Sequence, residues 1–295
     1  MAIASLLTAA AAVSGCGGSV EREGVADAAT DAGRPSGPDA SLGPDGPAAC
    51  DTCDEPDFGP ACAPGSPLDC LVNEACPGGG HTTITGTVYD PAGRNALSNV
   101  AVFVPEDRDT LPAIATGTSS CTTCVAPIGD YVTATLTNAM GYFRLLDVPT
   151  GKNIPLVVQT GKWRRAIVLP SVADCAETPV PDGQARLPRN HGEGDLPQIA
   201  LLTGGCDNFA CFLRGVGVDA AEFSSPHGGG RVDVYQGLGA GGVGPALSGA
   251  TAGDCTTSGC PLWGSKQSLE AYDDVYLGCE CAANEQTKRA AGLQA

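Results

Sequence analysis

The chain has 295 residues, 42% of them apolar, which is enough to bury a core in one large or two ordinary domains. Its 41 glycines and 23 prolines interrupt regular structure, so much of the chain must be turn, loop or linker. A net charge of −17 excludes nucleic acid as a partner, because phosphate contacts need clustered Lys and Arg, and the only dense basic run, Lys162-Trp163-Arg164-Arg165, reads as the solvated end of a strand.

Residues 1–16, MAIASLLTAAAAVSGC, form an apolar run of small residues, too short to span a bilayer but of the right length for the apolar part of a signal sequence. Its last four, Val13-Ser14-Gly15-Cys16, resemble the lipobox of bacterial lipoproteins. The resemblance implies lipid attachment at Cys16 and a mature chain that starts there. No Lys or Arg precedes the apolar run, as such leaders require, which points to residues missing upstream. Gly17 in the following position resembles lipoproteins sent to the Gram-negative outer membrane, where several acyl chains make anchoring stable. The expected localisation is therefore exported and outer-membrane-anchored.

Residues 17–80 change character. Asp, Ala, Gly and Pro dominate, and large apolar residues are almost absent, so burial cannot offset the entropy of ordering. Twelve Asp and Glu against two Arg in residues 1–80 place −10 of the net charge there, and like-charge repulsion with proline keeps such a segment extended. It reads as a tether. The Asp residues lack the ordered spacing and terminal Glu of a calcium loop.

Fifteen cysteines less Cys16 leave an even number, many in near neighbours: Cys50/Cys53, Cys121/Cys124, Cys206/Cys211, Cys255/Cys260 and Cys279/Cys281. Behind a signal sequence these are disulfide candidates in an oxidising compartment. No metal site is expected, because the two Cys-x-x-Cys pairs lie too far apart and no histidine falls at zinc spacing. Cys121-Thr-Thr-Cys124 lacks the strand-to-helix setting of a redox motif.

Residues 81–187 carry the strand signals. Ile84, Gly86 and Val88 alternate with threonines and Tyr89, and Val100, Val102 and Val104 alternate again after a turn. Past a long loop come Gly141-Tyr-Phe143 and Leu145, a Val148-Pro149-x-Gly151 corner, then IPLVVQT and WRRAIVLP, about six antiparallel strands at sandwich spacing. ITGTVYDPAGRNALSNVAVFV with TNAMGYFRLLDVPTG resembles the carboxypeptidase regulatory-like domain, which implies a prealbumin-type Greek-key β-sandwich with an accessory, non-catalytic role. The zinc-binding His-x-x-Glu of the carboxypeptidases themselves has no counterpart at His81, His191 or His227. Serine-hydrolase elbow, zincin helix and P-loop are likewise missing, so no catalytic residue is assigned. Trp163 is either a stacking platform for a polysaccharide or an inward core residue.

Residues 188–295 differ again. Ile199 to Leu202 is a continuous apolar strand, followed by a Gly-Gly turn and a helix with Asp207 as its expected cap. GRVDVYQG gives a second strand, SKQSLEAY a short helix, Asp274 to Cys279 a third strand, and the last residues another helix. Strands alternating with helices imply a small parallel α/β sheet that is incomplete where the chain stops. Gly237, Gly239 and Gly242 match a dinucleotide fingerprint, but Pro245 stands where its helix should begin, so no cofactor is expected. This region resembles large bacterial surface lipoproteins in which a sandwich leads into a glutamine-amidotransferase-like fold. Cys279 sits after a strand, as a nucleophile does there, while the nearby Cys281 offers a disulfide instead.

The function expected from all this is a membrane-anchored, non-catalytic binding or spacer lipoprotein. Its partners would be the membrane through its lipid and an envelope protein or polysaccharide. The alternative is a truncated extracellular hydrolase.

Overall fold

The computed structural model describes residues 67–117, 128–239, 252–257 and 259–282. They are mostly β-sheet with few helices. Two sheets face each other as a β-sandwich, with apolar and polar residues alternating clearly in β4. One sheet has β1 (Thr83–Thr87) between β4 (Tyr142–Leu146) and β7 (Glu177–Pro179). In the other, β2 (Ala101–Pro105) and β5 (Gly151–Thr160) lie between the edge strands β3 (Tyr131–Leu136) and β6 (Trp163–Val172). All the pairings are antiparallel except β1 with β7.

Strand period decides which residues meet. Ile84 pairs with Leu145, and Gly86 lies opposite Phe143, whose ring is 3.0 Å from where a Cβ on Gly86 would stand. From the facing sheet Val102, Val104, Ile154, Leu156, Val158, Ile167 and Leu169 enter the same core. The turn between β3 and β4 needs Gly141, which holds φ at 75° and passes so close to Ala96 that a Cβ would lie 2.8 Å from its methyl.

The tether ends earlier than the composition implied. Residues 67–80 pack on the sandwich: Leu68 is 1% exposed in its core, Leu71 packs beside it, and the Thr150 amide donates to the Leu71 carbonyl at 3.0 Å. Two leucines in an otherwise polar stretch help to seat it.

The outer face of β2 and β5 is also covered. Phe103 and Val157, opposite each other in register and pointing away from the core, are both fully buried. The segment that leaves β2 runs beside β5 and β6. Arg108 donates to the Lys152 and Asn153 carbonyls, Arg164 to Pro112, and Lys162 to Ala115.

The rest of the described chain surrounds a parallel sheet. Its order is β11 (Gly253–Asp254), β10 (Val232–Gln236), β8 (Ile199–Thr203), β12 (Asp274–Leu277), with β9 (Phe223–Ser224) also pairing with β10. Every ladder is parallel. Because β8 is covered on both sides, it reads as an unbroken apolar run. Ile199 and Leu201 join a cluster with Leu213 of α1 (Phe209–Gly215), while Ala200 and Leu202 face Leu262, Trp263 and Tyr272, with α2 (Lys266–Glu270) beside them.

The basic run Lys162 to Arg165 is not a solvated strand end. It is where the sandwich meets the parallel sheet. Asp273, its side chain 4% exposed, pairs with the Lys162 ammonium and accepts the Gly117 amide at 2.7 Å and the Gln198 amide at 2.7 Å. Arg164, 4% exposed, pairs with Asp195 at 2.8 Å, and the two residues exchange backbone hydrogen bonds. Trp163 packs against the sandwich core and the α1 face of the parallel sheet together, which settles it as an inward residue. Arg164 is buried and Lys162 and Trp163 are half-buried because Asp195 in the connection after β7, Asp273 on the approach to β12 and the apolar α1 face are brought opposite them.

Candidate functional site

In an open parallel sheet a ligand crevice forms at the carboxyl ends of the strands, where successive connections leave in opposite directions. Here β10 lies on one side of β8 and β12 on the other, so that point lies between β8 and β12. Three loops converge there: Gly204 to Asn208 after β8, Gly237 to Gly239 after β10, and Gly278 to Cys281 after β12. They are tightly joined. The Cys206 amide donates to the Cys279 carbonyl at 2.9 Å, the Cys279 amide to Asp207 Oδ2 at 2.7 Å, and the Leu238 amide to Glu280 Oε1 at 2.9 Å. A Cβ on Gly204 would stand 2.2 Å from the Cys279 carbonyl oxygen, so the Gly-Gly after β8 is required by this approach. A crevice of about 470 Å³ opens between the β8 loop, the start of α1 and Gly239. That volume suits a small organic ligand.

Cysteine pairing here departs from the sequence expectation. Cys206 bonds Cys281, with 5.3 Å between Cα atoms, and neither Cys206–Cys211 nor Cys279–Cys281 forms. The backbone ladder between Cys206 and Cys279 brings the two loops side by side, whereas Cys211 is carried into α1 and is itself disulfide-bonded. Cys279 is a free, exposed thiol. Cys255 and Cys260 are joined locally, and Cys76 is joined to Cys175, a pair that spacing did not indicate. Cys70 is disulfide-bonded too.

The expected cap also moves by one residue. Asn208, not Asp207, caps α1, its side chain accepting the Cys211 amide at 3.0 Å. Asp207 instead reaches across to the β12 loop, and its Oδ1 is shut from solvent with no hydrogen-bond partner among the described residues. Of the dinucleotide-like glycines, Gly237 and Gly239 end β10 and approach Thr203 and Glu280, while Gly242 lies outside the described residues. Cys16, Cys50, Cys53, Cys121 and Cys124, with the leader, most of the tether and the last expected helix, also lie outside them. Among the described residues no helix is long and apolar enough to cross a membrane.

No family model matches the chain, and no curated protein matches it in sequence. Among solved structures it is similar to a chain of a type II cohesin–X-dockerin complex from Acetivibrio cellulolyticus carrying a C-terminal interface mutation, at 15% identity and a TM-score of 0.24, covering 46% of this chain and 86% of that one. An N-terminal interface mutant of that complex gives 14% identity and a TM-score of 0.25, covering 51% and 88%. The major pilin subunit of Bacillus cereus gives 10% identity and a TM-score of 0.20, covering 37% and 30%. At these scores the likeness carries no argument about what this chain binds or does.

Proposed function

We propose that the chain is an exported lipoprotein, held in the outer membrane through Cys16, whose sandwich and parallel sheet stand away from the bilayer as one binding or spacer body. The observation that carries this reading is the Cys76–Cys175 disulfide, which closes the sandwich at the point where the acidic tether enters it. Such bonds persist in oxidising compartments outside the cytosol. The seven strands in two sheets support a prealbumin-type Greek key of the carboxypeptidase regulatory-like kind over 81–187. The parallel ladders support an α/β region over 188–295. The partner on this reading is an envelope protein or polysaccharide, with the crevice beside β8 as a place for a small group. Radiolabelled palmitate incorporation that disappears in Cys16→Ser, together with globomycin-sensitive processing, is the expected result. Unlabelled protein in the soluble fraction of wild-type cells would reject the anchor.

A second reading is favoured by one specific feature. Cys279 keeps a free thiol at the carboxyl end of β12, beside the point where the sheet's connections diverge. On this reading the chain is part of an amidotransferase-like hydrolase and Cys279 its nucleophile. Iodoacetamide alkylation followed over pH tests it: an inflection well below that of an ordinary thiol supports a nucleophile, and ordinary thiol behaviour rejects it.

A further inference from the structure

At the opposite, amino-terminal edge of the parallel sheet two carboxylates are buried without a Lys or Arg ion pair. Glu222 is 0% exposed and accepts the His191 and Arg231 amides and the His191 Nδ1 hydrogen at 2.8 Å. Asp233 is 1% exposed and accepts from the Ser224 hydroxyl, the His227 amide at 3.0 Å and the Tyr272 hydroxyl at 2.8 Å. Burial, and then its bonds to Tyr235 and Asp233, push the Tyr272 phenol up, so it stays protonated and donates. Buried charges of this kind are normally paired with cations or placed beside a metal.

The cation has room. A cavity of about 270 Å³ opens over this edge and is lined by Asp233, Tyr272, Arg231 and two of the chain's three histidines, His191 and His227. Because Glu222 engages Nδ1 of His191, the lone pair is left on Nε2. That is the carboxylate–histidine arrangement which fixes the tautomer of a metal ligand. The His227 ring has no hydrogen bond among the described residues, and the backbone there holds a left-handed φ of 61°, unusual for a residue other than glycine. Arg231 is the one Lys or Arg that lines this cavity, against two buried carboxylates.

We propose that His191, through Nε2, and His227 bind a divalent transition-metal cation in this cavity, with Glu222 orienting the first imidazole and the buried Asp233 supplying negative field. Imidazole donors suit zinc, nickel and copper(II) better than calcium or magnesium. Among the described residues no third His, Cys, Asp or Glu closes a compact ligand set with them, so water fills the remaining positions. Arg231 weakens the field and makes the site one for a metal that brings an anionic ligand of its own.

The test uses the full-length, tag-free protein with its disulfides intact, titrated with zinc by calorimetry and with cobalt(II) by visible absorption. One bound ion is expected, with a cobalt spectrum of imidazole ligation. His191→Ala and His227→Ala should each abolish that spectrum, and Glu222→Gln should weaken zinc about 10- to 100-fold. His81→Ala, which lies by Asp147 on the sandwich, should change nothing. The His191 side chain is 53% exposed, so its removal opens no core cavity, and circular dichroism checks that the fold persists without its bond to Glu222. Binding that survives both histidine variants, or no binding to the wild type, overturns the proposal. So does inorganic phosphate binding to the metal-free cavity at His191, His227 and Arg231, because it would make the site one for anions.

Discussion

The sandwich and the parallel sheet solve the same burial problem differently. Among the described residues, the sandwich gathers 18 buried apolar residues into one cluster between two sheets, so each layer protects the other. The parallel sheet must cover two faces, and it divides its buried residues into two clusters of eight, each closed by a short helix or a turn. What that half holds in excess is cross-links and buried carboxylates. Two of the three disulfides with both partners described, together with Glu222, Asp233 and Glu280, belong to that half. A parallel sheet of this size is therefore stable through its attachments, above all through Asp273 and Arg164 to the sandwich.

Four experiments would break or sharpen this contrast. The largest effect is expected from opening the sandwich's own cross-link. Cys76→Ser with Cys175→Ser frees a loop spanning 99 residues and should lower the sandwich's stability by about 4 kcal/mol, read as a shifted urea midpoint. If the midpoint does not move, the apolar cluster alone holds that half. Next, Asp273→Ala leaves the Lys162 ammonium without its counter-ion and the Gly117 and Gln198 amides without their acceptor. A loss of about 3 kcal/mol is expected, and unfolding should split into two transitions with the parallel sheet opening first. One unchanged transition would mean that the halves share more than this contact.

The third concerns acid. Glu193, in the connection between the halves, is held at a pKa of about 2, chiefly by its paired hydrogen bonds from Arg186. A depressed carboxylate stabilises the fold fully above the ordinary glutamate range, and that contribution is lost as pH falls towards 2. Arg186→Gln should flatten this part of the pH–stability curve, removing roughly 2 kcal/mol at neutral pH after solvent screening is allowed for. The smallest effect is at α1. Asn208→Ala should cost about 1 kcal/mol and speed hydrogen exchange at the Cys211 amide, which loses its acceptor. Exchange that stays slow would mean the disulfide at Cys211, not the cap, holds the helix.

Strands β1, β2, β4 to β6, β8, β10 and β12 were legible because alternation or a continuous apolar run is written locally, residue by residue. What joined them was not. Lys162 to Arg165 looked solvated because the acids that neutralise two of its members, Asp195 and Asp273, come from the connection after β7 and the approach to β12. Cys206 looked paired with Cys211, yet its partner is 75 residues away, set by a ladder between loops that sequence distance does not encode. Asp207 and Asn208 are both good caps by type, and only the position of the β12 loop decides which one is drawn away. At the amino-terminal edge, the three histidines were legible as unsuited to a carboxypeptidase centre. That two of them share a cavity over buried carboxylates depends on the crossing of β9, β10 and the chain before β8.

The Cys76–Cys175 bond also has a mechanical consequence. Strands β1 to β6 all lie between the two cysteines, inside the covalent loop. On the proposed anchor, tension from the N-terminus would first pull on Leu68 and Leu71, and once these let go it would reach Cys76, cross the sulfur–sulfur bond and leave towards β7. The load would then fall on the β1–β7 ladder and on the connection past Arg186, while β2 to β6 would be shielded inside the closed covalent loop.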